Sequence, residues 1–386
     1  MTNIIGILTL DIGFKFMIKK LHIVSFDVPY PPNYGGVIDV FYKIKALHKL
    51  GLKIILHTYS YGRGEPDELN QYCEQVIYYK RGSFFNFFSR KPFIVKTRNS
   101  DALRENLMKD DYPILFEGIH TTFPLIDKDF KTRKILIRTH NIEHDYYAGL
   151  SKSEKNIFKK VFFNFESKKL KYYEKIIDKV DAILTISPSE QEYFKTKYGD
   201  KCNYIPVFHK NNEVVSLSKK GEFALYHGDL RVADNIKAVD YLVSVFKTLK
   251  HQLIIASSFG NKEVIELIKP YKNIQFELLE YQNQDHLASL FEKAHINVLP
   301  TFQQTGIKLK LIHALFSSRF CVVNTKMVDK TGLEPLCEVA QNKKEFSEKV
   351  NLCFSKEYTE EIRKIKDNNL KDFNTLQNAK KILEHI

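Results

Sequence analysis

The sequence predicts an α/β protein made of two tandem doubly wound units that face each other across a cleft. Three observations carry that expectation. Strand-like and helix-like segments alternate over almost the whole chain, the pattern of parallel sheets covered by helices. The length of 386 residues suits two units of roughly 150–200 residues better than one core. A polar stretch, residues 209–221, separates two runs of alternation and reads as a linker. Hydrophobic residues make up 44% of the chain, enough for real cores, which excludes a disordered or collagen-like polymer.

In chain order, residues 1–16 read as an N-terminal extension outside the fold. Their apolar run 4–10 meets Asp11 and Lys15 at once, with no basic region before it and no small-residue cleavage site. No run reaches the roughly 18 apolar residues of a spanning helix. The first unit, 17–208, opens with a strand at 21–26 and a proline-rich loop ending in Gly35-Gly36. A helix at 37–50 follows, with Val37, Val40, Phe41, Ile44 and Leu47 on one stripe and Gly51 closing it. Strands are expected at 52–57, 76–79, 114–116, 134–138 and 182–186. Ser187-Pro188-Ser189-Glu190 is a capping box with proline in the first helical position, opening a helix that ends near Gly199. Residues 202–206 close the unit. The second unit, 209–386, is expected to hold strands at 223–227, 253–256, 274–278, 296–299 and 320–323, a Gly228 turn, and a helix at 234–249. The charged tail from Tyr358 reads as helical and is expected to pack back on the first unit. Ligands of doubly wound folds bind at the carboxyl ends of the strands, here the cleft between the units.

The net charge is +13, yet only 10 of the 59 basic residues are arginine. Nucleic-acid readers lean on arginine forks, and no zinc-finger spacing or RNA-binding strand appears, so a nucleic-acid partner is not expected. Much of the lysine, with the abundant Ile, Asn, Phe and Tyr, is consistent with drift in an AT-rich genome. Five widely spaced cysteines without CxxC suggest neither a disulfide framework nor a zinc site, and fit a reducing cytosol.

Four places carry candidate chemistry. Gly35-Gly36 lies between a strand and a helix N-terminus, where bare backbone and the helix dipole favour an anion; a plain tight turn is the alternative. Gly306 is expected to start a second such helix. Lys308 in its first turn opposes the dipole, so a bound phosphate would compensate it; a snorkelling surface lysine is the alternative. Lys310 and His313 follow on the same helix. The third place is a histidine set at strand ends: Glu117 and His120 after one strand, then Arg138, His140, Asn141, Glu143 and His144 at the end of the next. These suit hydroxyl binding or acid–base work near neutral pH. His140-x3-His144 has helical ligand spacing but lacks the companions of a zinc site, so no metal is expected; structural hydrogen bonding is the alternative for both histidines. The fourth is the acid-free, phenylalanine-rich stretch 75–100, together with the nine lysines in 152–179. Basic charge beside aromatics suits peripheral contact with an anionic membrane; solvated faces are the alternative.

The order of these motifs resembles the two-Rossmann-domain glycosyltransferases of the GT-B fold, and within them glycosyltransferase family 4. The likeness runs from Met17 through Gly35-Gly36, His120, the His140-Asn141-x-Glu143 segment, residues 181–187, Tyr204-Ile205-Pro206, Gly228-x-Leu230 and 306–315. The resemblance implies two Rossmann-like units, with the nucleotide-sugar donor on the second and a glycan or lipid-linked acceptor on the first. It implies hexose transfer with retention, without metal or other cofactor, in bacterial surface polysaccharide synthesis. The enzyme would be cytoplasmic and in peripheral contact with the inner membrane face. On that footing His120, His140 and Glu143 are catalytic, with Asn141 and Glu117 contacting acceptor or sugar. Gly35, Gly36, Gly228, Arg231, Thr305, Gly306, Lys308, Lys310 and His313 bind the donor. Gly36 would meet the diphosphate and Lys308 would neutralise it as it leaves. Two departures stand out. The glutamates of the family's Glu-x7-Glu pattern fall on Thr305 and His313. The usual basic pair after the Gly228 turn is replaced by Asp229 and Asp234-Asn235, leaving Arg231 as a substitute. The alternative is a weakly active or inactive GT-B protein that scaffolds a glycan-assembly complex.

Overall fold

The computed structural model describes residues 20–82, 89–127, 130, 133–154, 156–280, 284–302, 309–329 and 331–386. The first sheet contains β1 (Lys20–Ser25), β2 (Lys53–Ser60), β3 (Gln75–Lys80), β4 (Ile114–Glu117), β5 (Ile135–Arg138), β6 (Ala182–Thr185) and β7 (Cys202–Tyr204). The second contains β8 (Phe223–His227), β9 (Leu253–Ser257), β10 (Ile274–Leu278), β11 (Ala294–Leu299), β12 (Phe320–Asn324) and β13 (Glu338–Ala340). Their orders are β3-β2-β1-β4-β5-β6-β7 and β10-β9-β8-β11-β12-β13, all pairs parallel. The second sheet thus repeats the winding of the first. In each, chain direction across the sheet reverses beside the opening strand, which leaves a crevice between β1 and β4 and another between β8 and β11.

Helix α1 (Gly35–Lys49) shows why the sequence pattern was readable. Val37, Val40, Phe41, Ile44 and Leu47 are all buried, each worth about 1.5–3 kcal/mol on leaving water. Gly51, at φ +84°, takes the left-handed turn that ends the helix. Helices α2 (Glu143–Ser153) and α3 (Ile157–Tyr173) form a hairpin after β5. Next, α4 (Pro188–Tyr198) is capped by Ser187, which accepts from Glu190 N–H, while the Glu190 carboxyl accepts from Ile186 N–H at 3.2 Å. In the second unit α5 (Ala233–Phe246) follows β8 and α6 (Leu309–Ser317) lies between β11 and β12. The tail ends in α7 (Thr375–Leu383), whose Ala379 and Ile382 share one core with Leu21, Val40 and Leu47 of the first unit.

Three features differ from the expected layout. Residues 209–221 are tied down along the second unit. Val215 N–H donates to Phe316 O at 2.9 Å, Lys219 O accepts from Tyr358 N–H at 2.8 Å, and Val214 is buried. Polar side chains hid these backbone partners, which have no pattern of their own. Strand β13, three residues long and paired to β12, is too short to show alternation. Stretch 75–100 is largely absorbed by the fold: β3 occupies its start, Arg98 is buried with Nε donating to Phe26 O at 2.8 Å, and Lys96 lies over the Phe123 ring. Its Phe84, Phe85, Phe87 and Phe88 lie outside the described residues, as do residues 1–16. Among the described residues, no helix is long and apolar enough to cross a membrane.

Candidate active site

The carboxyl ends of β1, β4 and β5 bring the histidine set together. Gly118, at φ +70°, turns the chain after β4 into a single helical turn, Ile119–Thr121, and His120 folds back over it. A side chain at Gly118 would start 2.7 Å from His120 Nδ1. His120 Nε2 lies 4.0 Å from Glu143 Oε2, at the start of α2. His120 Nδ1 and Glu143 Oε1 are buried and meet no hydrogen-bond partner among the described residues. Burial, helped by the Arg98 guanidinium and His140, holds His120 well below its ordinary pKa, so the ring is neutral. Burial pushes the Glu143 carboxyl up to about 7, with Asn141 pulling the other way. A neutral imidazole beside a carboxyl that gains and loses its proton near neutrality suits hydroxyl recognition and proton transfer.

Phe26, just past β1, packs against both His120 and His140, with ring centroids 5.5 Å away in each case. A Cβ on Gly36 would come within 2.5 Å of Phe26 Cζ. The immediate structural reason for this glycine is therefore the Phe26 ring. Gly35 faces the other unit, where its Cβ would lie 3.7 Å from Leu309 Cδ1. The amino end of α1 thus abuts the described start of α6 across the cleft.

Beneath these residues lies a buried charge network. Lys43 Nζ sits 2.8 Å from Asp39 Oδ2 and 2.8 Å from Glu117 Oε1. Arg138 grips Asp39 with two N–H groups, at 2.8 and 3.1 Å, and also donates to the carbonyls of Ile205 and Pro206. Asp39 accepts in addition from Phe208 N–H at 2.8 Å. Glu117 receives His140 Nε2 at 3.0 Å, which fixes that ring through the network. Burial alone would raise the Asp39 pKa, but Arg138 and Lys43 outweigh it and hold the group well below the usual carboxylate range. Asp39, Glu117 and His140 offer ligand atoms within 4.8 Å of one another, as a metal site would. The Lys43 ammonium already stands between the two carboxylates, so the donor set is matched to a lysine and fits a metal ion poorly.

In the second unit the Gly228 turn follows β8, and Asn235 at the start of α5 reaches back to donate to Asp229 O at 2.9 Å. Lys310, in the first described turn of α6, donates to Asn235 Oδ1 at 3.0 Å and lies over the Tyr226 ring. Lys310, Asn235 and Gly228 are therefore contiguous at the mouth of the β8–β11 crevice. Asp234 accepts from Thr301 Oγ1 at 2.7 Å and from Phe302 N–H at 3.0 Å, anchoring the loop after β11. Arg231 is paired with Asp229 at 2.7 Å and stacked on Phe259, on the outer side of the turn. His313 packs against Phe291 and His227, and burial holds it well below its ordinary pKa.

Of the residues singled out by sequence, Glu117, His120, His140, Asn141 and Glu143 cluster in the first unit. Gly35 and Gly36 border that cluster. Gly228, Arg231, Lys310 and His313 lie around the second crevice. Thr305, Gly306 and Lys308 fall outside the described residues. His140 and His144 diverge: the first turns to Glu117, while His144 Nδ1 pairs with Glu174 at 3.1 Å. Sequence reasoning missed Phe26, Asp39 and Lys43, and it found Arg138 at its strand end without the partner Asp39. The four-residue spacing of Asp39 and Lys43 on the buried side of α1 was the one available signal.

Residues 222–355 match the family described as glycosyl transferases group 1. A Klebsiella pneumoniae protein described as an "Uncharacterized 44.6 kDa protein in cps region" is 27% identical over 341 residues, covering 81% of this chain and 84% of its own. Among solved structures, S. aureus TarM, as a variant with fondaparinux, alpha-GlcNAc-glycerol and UDP, is 12% identical with TM-score 0.65. It covers 95% of this chain and 99% of its own. The lipopolysaccharide outer core galactosyltransferase WaaB is 12% identical with TM-score 0.63, covering 95% and 100%. Repeated winding, facing crevices and these likenesses together give this chain the GT-B fold, with residues 222–355 matching the glycosyl transferases group 1 family.

Proposed function

We propose that the protein transfers a hexose from a nucleotide-sugar donor to a glycan or lipid-linked acceptor, with retention, in bacterial surface polysaccharide synthesis. The observation that carries this reading is the pairing across the cleft: neutral His120 and near-neutral Glu143 on one side, Lys310 at the Gly228 turn on the other. In this reading the donor diphosphate lies between the amino ends of α1 and α6. Lys310, with Lys308, neutralises charge that grows on the leaving diphosphate, which makes each a direct rate term. His120 and His140 orient the transferred sugar, His140 through the Glu117–Lys43 network. His313 takes one hydroxyl of the nucleotide, as an imidazole can where a carboxylate would take two. The reaction proceeds without a metal, a reading supported by the lysine already held between Asp39 and Glu117.

The cps-region context of the Klebsiella relative and the UDP in the TarM structure support the pathway and the donor class. The setting is the cytoplasm, with peripheral contact at the inner membrane face. Incubating the protein with a panel of nucleotide sugars and measuring binding and slow donor hydrolysis tests the proposal. One donor is expected to bind and hydrolyse, and Lys310→Ala to weaken its binding and slow its hydrolysis. No binding of any nucleotide sugar would refute it.

A further inference from the structure

Helix α3 exposes an unusual face. Its inner side, with Glu166, Leu170 and Tyr173, is buried against the first unit. On the outside, Phe158, Val161, Phe165 and Tyr172 recur at spacings of three, four and seven residues and form one stripe. Phe158 is 83% exposed, Phe165 57% and Tyr172 78%, far above what a solvated helix face of this length normally shows. Lysines run along one side of the stripe: Lys160, Lys168 and Lys171 are exposed, Lys168 lies over the Phe165 ring, and Lys159 is exposed in the first turn. The one acid on the helix, Glu166, is buried and accepts from Phe93 N–H and Lys169.

We propose that this outer face of α3 docks on an anionic lipid surface, with the aromatic rings at headgroup depth and the lysines against the lipid charge. This rests on, and gives a location to, the peripheral membrane contact in the functional reading above. Charge decides the occupant. A second copy of the chain would set one lysine-rich face against another, whereas an anionic bilayer complements it and accepts aromatic rings at its interface. The helix also reaches the candidate site: Ser167 Oγ donates to His144 O at 2.7 Å, and Glu174, just past α3, pairs with His144 one residue beyond Glu143. Docking would therefore hold the candidate site one helix layer from the membrane.

Co-sedimentation of the full chain with phosphatidylglycerol-containing vesicles, against phosphatidylcholine alone, is the test. Binding is expected only to the anionic vesicles and should fall in high salt. Each lysine near such a surface is worth about a fivefold change in partition. Replacing Lys159, Lys160, Lys168 and Lys171 by glutamine is therefore expected to weaken it more than about a hundredfold, and Phe158→Ser with Phe165→Ser about tenfold or more. All six sites are exposed, so both variants should melt like the parent and hydrolyse donor at the parental rate. Equal binding to both vesicle types, or variants that sediment like the parent, would overturn the docking proposal. So would a stripe-dependent dimer in analytical ultracentrifugation with no vesicle binding. Failure of the sugar-transfer reading would instead show as absent donor hydrolysis with vesicle binding intact.

Discussion

Lys43→Met is the most informative single perturbation of the first unit. The Lys43, Glu117 and Arg138 side chains are fully buried, and Asp39 is nearly so. With two cations and two carboxylates the network is neutral. Methionine fills much of the lysine volume, so little cavity forms, and the change leaves one buried negative charge without its counter-ion. Removing one partner of a buried ion pair costs about 3–5 kcal/mol. On a unit of 150–250 residues each kcal/mol moves Tm by about 2–4 °C, so a fall of about 6–20 °C is expected. The assay is a thermal melt at pH 7.5 of the parent, the single variant, and Lys43→Met combined with Glu117→Gln. The double variant is neutral again and should recover at least half of the loss, because the two sites couple directly. A single variant melting within about 3 °C of the parent, or a double variant no better than the single, would refute the charge-balance argument.

Further outcomes follow from other contacts. Lys310→Ala removes a cation at the Gly228 turn, and donor affinity measured by calorimetry should fall roughly 10- to 100-fold, the value of one charge-assisted bond. Burial pushes the Glu190 carboxyl up to about 8 from an ordinary 4.5. The folded state therefore keeps a proton that the unfolded chain releases, a contribution full below about pH 4.5 and gone above about pH 8. Glu190→Gln still accepts from Ile186 N–H, so it should match the parent near pH 5 and be more stable at pH 8.5 in urea titrations. Glu143, raised to about 7, keeps part of the pH slope in place. Gly36→Ala should displace Phe26, a side chain able to swing away, at about 1–3 kcal/mol. Gly221→Ala meets the backbone of Lys293, Ala294 and His295 at 2.5–2.6 Å and should lower soluble yield far more.

Most of the architecture was legible because periodicity is local. The buried positions of α1, the capping box at Ser187 and the strand Phe223–His227 each announce themselves within a few residues. The tie of residues 209–221 to the second unit and the edge strand β13 were not, since backbone pairing and very short strands leave no pattern in side chains. At the site the residue types were readable and their relations were not. His140-x3-His144 looked like a pair and proved to be two separate contacts, one to Glu117 and one to Glu174.

The sequence by itself determined the two-unit α/β plan, the placement of glycines and histidines at strand ends, and the departure from acidic residues at Thr305 and His313. Only the tertiary structure decided which charges meet. Asp39 and Arg138 are 99 residues apart, yet Arg138 donates both to Asp39 and to the carbonyls of Ile205 and Pro206 leading out of the first unit. Such partnerships depend on how α1 is laid across the sheet. That follows from burying its apolar stripe, and nothing in the local spacing of the charged residues encodes it.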